Sequence, residues 1–143
     1  MTTDTRPALV AANQALGERF FQEQDRLRGG PAPELCASSY TAVIGGYPPM
    51  DRAGHEGFAR GFYQGFPDAR HEIADVFATD DRVAVRFILH GTHTGNFFGI
   101  PGTGRTMKVA AHAMLTVADG KVTAITAVFD EATLLRQLGV LQG

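Results

Sequence analysis

The stretch that decides the fold runs from Gly91 to Lys121 and reads GTHTGNFFGIPGTGRTMKVAAHAMLTVADGK. Alternating strand-type residues at both ends enclose a loop with the pattern Gly-x-His-x-Gly-x-Phe-x-Gly-Ile-Pro-x-Thr-Gly-Arg. Asp119-Gly120 is a strong signal for a tight hairpin turn. The chain then closes with VFDEATLLRQLGV, which has helical spacing. The stretch therefore predicts strand, loop, strand and turn, followed by a further strand and a final helix.

Upstream of this stretch the sequence predicts two longer helices. Residues 8–27 contain no proline, and the helix should end at Gly29-Gly30-Pro31. A second helix is predicted over residues 51–66, with Asp51 as its N-cap. Apolar residues recur at helical spacing in both segments and predict which faces are buried. They are Leu9, Ala12, Leu16, Phe20 and Leu27 in the first helix, and Phe58, Phe62 and Phe66 in the second.

The order of the elements predicts an α+β fold, because a run of strands follows the helices instead of alternating with them. We expect a single domain over residues 1–143, with residues 1–7 as a flexible tail. A curved, mainly antiparallel sheet should wrap the long helix and leave a cavity at its open end. Besides the long helices, the predicted elements are a short helix at 33–39, strands at 40–45, 70–79, 82–94, 105–118 and 121–129, and a last helix at 130–138 capped by Asp130.

Composition excludes several classes of partner. The net charge is −2 and no basic stripe is present, so we expect no nucleic-acid binding. No apolar run is long enough to span a membrane and no signal segment is visible, so we expect no membrane association. Cys36 is the one cysteine, which excludes an internal disulfide and fits a reducing compartment. A cytoplasmic location is therefore predicted.

These motifs resemble the SnoaL-like polyketide cyclase family of the nuclear transport factor 2-like superfamily. The resemblance covers about residues 8–141. It rests on FPDARHEI at residues 66–73, on the loop of residues 91–105, on ADGKV at 118–122 and on FDEATLLRQLG at 129–139. Gly102 stands where the family loop usually has a second proline. The resemblance implies a cone-shaped α+β barrel with helices packed on the curved sheet.

The resemblance also implies an expected chemistry. The aromatic polyketide cyclases of the family close a ring by intramolecular aldol reaction without metal or cofactor, using an Asp of the last strand. A His on the neighbouring strand and an Asn near the first strand assist. These positions fall on Ala127, Ala113 and, at or near it, Ala42. All three are alanine here, so the family's acid/base residues are not carried over.

Strand alternation predicts an almost entirely apolar cavity with small residues at its centre. Apolar sheet faces are equally expected of an ordinary core, but adjacent alanines favour a real cavity. Such a cavity suits a hydrophobic small molecule, bound at ~25 cal/mol per Å² of apolar area. The predicted pocket residues are Phe20, Gln24, Ala42, Ile44, Tyr47, Phe62, Phe87, Ala113, Leu115, Ile125, Ala127 and Phe129.

Histidine is the first candidate for proton transfer because it titrates near neutrality. His93 should stand at the mouth of the cavity and is the candidate catalytic residue, although a hydrogen bond that fixes the loop is the favoured alternative. His71 and Asp75 share strand parity and could form an acid/base pair, but a surface position is favoured. We expect His55 on the exposed side of the second helix and no carboxylate inside the cavity.

The leading hypothesis is a cofactor-independent cyclase or isomerase that acts on a hydrophobic polyketide-like metabolite mainly by enclosing it. The alternative is a non-catalytic small-molecule binding protein that kept the fold and lost the chemistry. An epoxide hydrolase or dehydratase ranks last, since those enzymes need carboxylates in the cavity. No metal-ligand spacing or phosphate loop is present, so no cofactor is predicted. The apolar outer sheet face predicts a homodimer through Ala110, His112, Met114 and Ala124.

Overall fold

The computed structural model describes residues 4–141 and has the predicted α+β architecture. Its sheet has the strand order β1-β5-β4-β3-β2, in which β1 is parallel to β5 and every other neighbouring pair is antiparallel. The helices within residues 4–141 are α1 (Arg6–Leu27), α2 (Arg52–Gly65) and α3 (Glu131–Gln137). The strands are β1 (Cys36–Ile44), β2 (Arg70–Ala78), β3 (Arg82–Thr92), β4 (Thr106–Ala118) and β5 (Lys121–Phe129).

Helix α1 lies against β2 and β3, and its buried face matches the predicted one only at Leu16 and Phe20. Leu9 and Leu27 are exposed, contrary to the spacing argument. The reason is a close approach at Gly17, where an added Cβ would lie 2.6 Å from Cγ1 of Val83. This contact turns the buried face toward Asn13, Gly17, Phe20, Phe21 and Gln24.

The element boundaries differ most from the prediction at two places. A single 3₁₀ turn, Pro33–Leu35, replaces the short helix predicted over residues 33–39, and β1 starts directly after it. Helix α1 begins at Arg6, so Arg6 and Pro7 are helical and not part of a tail. The rest of the predicted tail includes residues 1–3, which lie outside the described residues.

None of the helices within residues 4–141 is long and apolar enough to cross a membrane.

A bulge in β2 decides which of its side chains point inward. The register with β3 shifts between Ile73 and Asp75, so that His71 pairs with Leu89 whereas Asp75 pairs with Arg86. Leu89 is buried on the inner face and Arg86 is exposed on the outer face. The prediction that His71 and Asp75 share one face is therefore wrong, because the extra residue reverses the alternation. Asp75 instead accepts a hydrogen bond of 2.7 Å from Nε of Arg86.

The predicted helix caps are confirmed. Oδ1 of Asp51 accepts a hydrogen bond of 2.7 Å from the backbone N–H of Gly54. Oδ1 of Asp130 accepts one of 3.0 Å from the backbone N–H of Thr133. Each carboxylate satisfies an N–H that the first turn of its helix leaves free. These caps fix where α2 and α3 start against the sheet.

Candidate functional site

A cavity lies between α1, α2 and the inner face of the sheet. Its free volume is about 80 Å³. The wall is mainly aromatic and aliphatic, with a few polar side chains among them, as in typical small-molecule sites. The polar wall residues are Gln24, His55, Tyr63 and His71, and the apolar ones include Phe21, Phe58, Phe62, Phe87, Leu89 and Ala111.

The structure places the predicted pocket residues in two groups. The first group lies on the cavity wall: Gln24, Ile44, Phe62, Phe87, Ile125, Ala127 and Phe129. Of the others, Phe20, Ala42, Ala113 and Leu115 are buried in the core away from the wall. Tyr47 lies beside the cavity, where its hydroxyl donates a hydrogen bond of 3.0 Å to Oε1 of Glu131 and its ring packs edge-on against Phe58.

His71, on the cavity wall, is paired with the carboxylate of Asp25, which is not itself a wall residue. The sequence did not predict this pair. Oδ1 of Asp25, on α1, lies 2.7 Å from Nδ1 of His71. Oδ2 of Asp25 accepts a hydrogen bond of 2.8 Å from the backbone N–H of His71. The hydroxyl of Tyr63, on α2, donates a hydrogen bond of 2.6 Å to Oδ1 of Asp25. Helix α1, helix α2 and strand β2 thus each contribute one side chain to a hydrogen-bonded group of titratable residues.

These bonds determine the state of Asp25. Burial alone would raise the pKa of its carboxyl group, but the hydrogen bonds and charge of His71 and the hydroxyl of Tyr63 hold that pKa below its usual value. Asp25 is therefore an ionised acceptor near neutral pH. An ionised carboxylate at Nδ1 places a proton on that nitrogen, so the neutral His71 ring has its lone pair on Nε2. The ring packs against Phe21 and Phe87, at centroid distances of 5.2 and 5.0 Å, and these two rings also contact each other.

His55 is a second polar group on the wall and corrects the prediction of an exposed position. It is 5% exposed, and its Nδ1 lies 2.8 Å from the hydroxyl of Tyr40. Burial, with a smaller effect of the nearby His71, lowers the pKa of His55 to about 4. Burial raises the pKa of Tyr40, which therefore keeps its proton. Tyr40 can donate that proton to Nδ1, which leaves the proton of the neutral imidazole on Nε2.

Gln24 is the third polar group and has an unusual environment. The residue is 4% exposed, and its Nε2 has no hydrogen-bond partner among residues 4–141. A buried donor without a partner costs ~1–3 kcal/mol of stability. The sequence indicated Gln24 as an unusual polar contact facing the cavity, and the structure places it on the wall.

His93, the candidate catalytic residue, does not lie on the cavity wall. It is fully buried, its Nδ1 lies 2.9 Å from the hydroxyl of Thr103, and its Nε2 lies 3.2 Å from the carbonyl of Ile100. Its ring stacks on Phe66 at 5.2 Å. Both ring nitrogens are occupied by the loop that follows β3. His93 therefore fixes that loop, which is the alternative interpretation of the motif.

The cavity is less apolar than strand parity predicted, because His55, Tyr63 and His71 lie on its wall. Strand parity assigned Ala113 and Ala127 to the centre, and the register does place them opposite each other. Parity arguments consider only the sheet, however, whereas Asp25 and Tyr63 come from helices. One sequence signal was available, because Gln24-Asp25 is a polar pair near the end of α1, one turn after Phe20-Phe21.

The sequence matches a known family over most of its length. The profile of the family described as SnoaL-like polyketide cyclase matches residues 30–138. No curated protein matches the sequence at a significant level.

Solved structures give the same fold. IdmH from Streptomyces antibioticus, described as a candidate polyketide cyclase, is 30% identical with a TM-score of 0.73, covering 91% of this chain and 97% of IdmH. AclR from Streptomyces galilaeus, described as a candidate hydroxylase, is 26% identical with a TM-score of 0.83, covering 94% of this chain and 89% of AclR. A candidate SnoaL-like polyketide cyclase from Jannaschia sp. CCS1 is 21% identical with a TM-score of 0.85, covering 99% of this chain and 100% of the Jannaschia protein.

Proposed function

Since this chain belongs to the SnoaL-like polyketide cyclase family, we propose that it is a cofactor-independent enzyme that closes a ring in a hydrophobic polyketide-like ketone. The observation that carries the proposal is that His71, paired with Asp25, lies on the wall of an apolar cavity. The pair supplies a general base at a position different from that of the family's Asp and His. It adds a proton-transfer group to the hypothesis that catalysis rests mainly on enclosure.

The proposed reaction begins with proton transfer at carbon. Nε2 of His71 takes a proton from the carbon next to a carbonyl group, and the C–H electron pair forms the C=C bond of an enolate. The enolate carbon then attacks a second carbonyl of the same molecule and forms the new C–C bond. The resulting alkoxide takes the proton back from Nε2 of His71. Protons and electrons balance in this sequence, and Asp25 stabilises the transient imidazolium.

Base catalysis and enclosure contribute by different amounts. A positioned general base typically accelerates a reaction ~10²–10⁴-fold. Holding two reacting groups of one flexible molecule together contributes up to ~7–11 kcal/mol. Enclosure by the apolar wall therefore remains the larger factor, and His71 makes the first proton transfer possible.

The first step can be tested without the native substrate. We expect the protein to accelerate exchange of the methyl protons of acetophenone in D₂O, measured by NMR, and His71→Gln to lower that rate ~10²–10⁴-fold. His90→Gln is the matched control, because His90 also pairs with a carboxylate, Glu72, at 2.8 Å, but outside the cavity. Exchange at the buffer rate, or equal rates in both variants, contradicts the proposal.

One observation favours the second candidate, a non-catalytic binding protein. The residues at the positions of the family's Asp, His and Asn are Ala127, Ala113 and, at or near it, Ala42, so the usual acid/base groups are missing. A binder would take up acetophenone with no exchange above the buffer rate. The same NMR experiment therefore separates the two candidates.

The outer face of the sheet supports a homodimer as part of the proposal. Large apolar side chains are exposed on this face: Val43, Phe77, Met114 and Val128. Exposed apolar groups that cluster on one face are typical of protein interfaces. The face is wider than the predicted patch around Met114, because β1 and β2 contribute to it at either end.

A further inference from the structure

Gln24 is the one polar wall residue whose buried donor is unexplained by the proposed chemistry. Its Nε2 is buried and has no partner among residues 4–141. Its neighbour Asp25 already accepts bonds from His71 and Tyr63. The described part of the protein therefore offers this donor no acceptor, although buried donors are almost always bonded.

The position of Gln24 limits what can satisfy it. The side chain lies on the cavity wall, so an acceptor has to enter the cavity. Most of the surrounding wall is apolar, including Phe21, Phe62 and Ala69. The free volume of about 80 Å³ exceeds the ~10–15 Å³ that one water needs, which leaves room for an organic group.

We propose that Gln24 is a specificity-determining residue whose amide N–H donates to the carbonyl oxygen of the bound ligand. The cavity then selects ketones over hydrocarbons of the same shape. A site with a buried hydrogen-bond donor rejects a ligand analogue that lacks the acceptor, because the donor in the wall would then have no partner. The inference rests on the proposed function for the location of the site and deepens it by naming the ligand class.

Gln24 and the histidine–carboxylate pair are close in the fold. Gln24 directly precedes Asp25, which bonds both the backbone N–H and the ring of His71. Gln24 and His71 both line the cavity, so a carbonyl oxygen bonded to Gln24 would share that cavity with the proposed base. The hydrogen bond should strengthen as the oxygen gains charge in the enolate.

The test is a binding titration with two matched pairs, acetophenone with ethylbenzene and 2-acetylnaphthalene with 2-ethylnaphthalene, followed by NMR. We expect the wild type to bind at least one ketone about fivefold to tenfold more tightly than its hydrocarbon. Gln24→Met should bind both members equally. Gln22→Met is the matched control, the same change two residues away on the exposed side of α1, and should keep the preference.

Thermal unfolding provides a second measurement. Gln24→Met removes an unpartnered donor and keeps the side-chain volume, so its Tm should equal or exceed that of the wild type. No ketone preference in the wild type, an unchanged preference in Gln24→Met, or a water that stays on Gln24 in a crystal with bound ketone overturns the inference. If His71→Gln loses proton exchange but the preference for ketones does not depend on Gln24, this inference alone is overturned. A Gln24-dependent preference without exchange would overturn only the proposed function.

Discussion

At the scale of single residues, Asp25 determines which nitrogen of His71 can accept a proton. Asp25→Asn keeps the shape but removes the charge that orients the ring and stabilises its protonated form. We expect the acetophenone exchange rate to fall ~10²–10⁴-fold while the affinity for acetophenone stays nearly unchanged. NMR exchange rates and titrations measure the two quantities separately.

Asp75→Asn is the control for that experiment, because Asp75 pairs with Arg86 on the outer face. It should leave the exchange rate at the wild-type value. If Asp25→Asn also keeps that rate, Asp25 has only a structural role, and the assignment of His71 as an oriented base fails.

His55 gives a prediction about stability and pH. Its pKa is about 4 in the folded protein against 6.5 ordinarily, so between these values the unfolded chain binds a proton that the native state does not. The free energy of unfolding should therefore fall as the pH drops from 6.5 toward 4, by about 3 kcal/mol from this residue. His55→Gln, which cannot titrate, should show a smaller loss over the same range.

Urea unfolding at pH 7, 6, 5 and 4 measures this difference. His90→Gln is the comparison, because His90 is on the outer face and pairs with an exposed Glu72. The prediction fails if His55→Gln has the same pH dependence as the wild type.

At the scale of elements, the distance between α1 and β3 depends on Gly17. An added Cβ there would lie 2.6 Å from Val83, a fully buried residue. Gly17→Ala should lower the free energy of unfolding by ~1–3 kcal/mol, because two packed elements must move apart. Gly57→Ala on α2 meets no atom within 4 Å and should raise it by ~0.5–1 kcal/mol. Urea denaturation of both variants measures whether the free energy of unfolding falls in Gly17→Ala and rises in Gly57→Ala. A loss of stability in both would contradict the packing argument.

The sequence predicted most of the elements because their signals are local. The bounds of β5 agree with the structure, since the hairpin at Asp119-Gly120 starts the strand and Asp130 caps the helix after it. The side assignment in β2 failed at the bulge after Ile73, because a register shift is set by the neighbouring strand and by no residue of β2 alone. The predicted buried face of α1 was wrong at Leu9 and Leu27 for the same kind of reason, since the contact of Gly17 with Val83 is tertiary.

The site was less predictable than the fold. Apolar wall residues such as Phe87 and Ile125 follow from strand alternation, and the structure places them on the wall. Asp25, Tyr63 and His71 come from three elements that only the folded chain brings together. Resemblance to the family pointed instead to the β-strand positions, where this chain has alanine.

At the scale of the whole molecule, the inner and outer faces of the sheet have different roles. The inner face packs on α1 and α2 and encloses the cavity. The outer face exposes Phe77 at 70% and Met114 at 40%, on β2 and β4. In the part of the chain that the structure describes, helices cover only one face of this sheet, so a second molecule is the proposed cover of the other. A stable interface of this kind buries ~800 Å² on each partner.

The dimer proposal predicts a change of mass when this face becomes charged. We expect the wild type to be a dimer at micromolar concentration and the double variant Phe77→Lys/Met114→Lys to be a monomer, because apposed copies would bury unpaired charges. Light scattering after size-exclusion chromatography measures both masses.

Leu9→Lys is the control, since Leu9 is 45% exposed but lies on α1, away from the outer face. A monomeric wild type contradicts the dimer, and a dimeric double variant contradicts this interface. Because the cavity lies on the other side of the sheet, the monomeric variant should still exchange acetophenone protons at the wild-type rate.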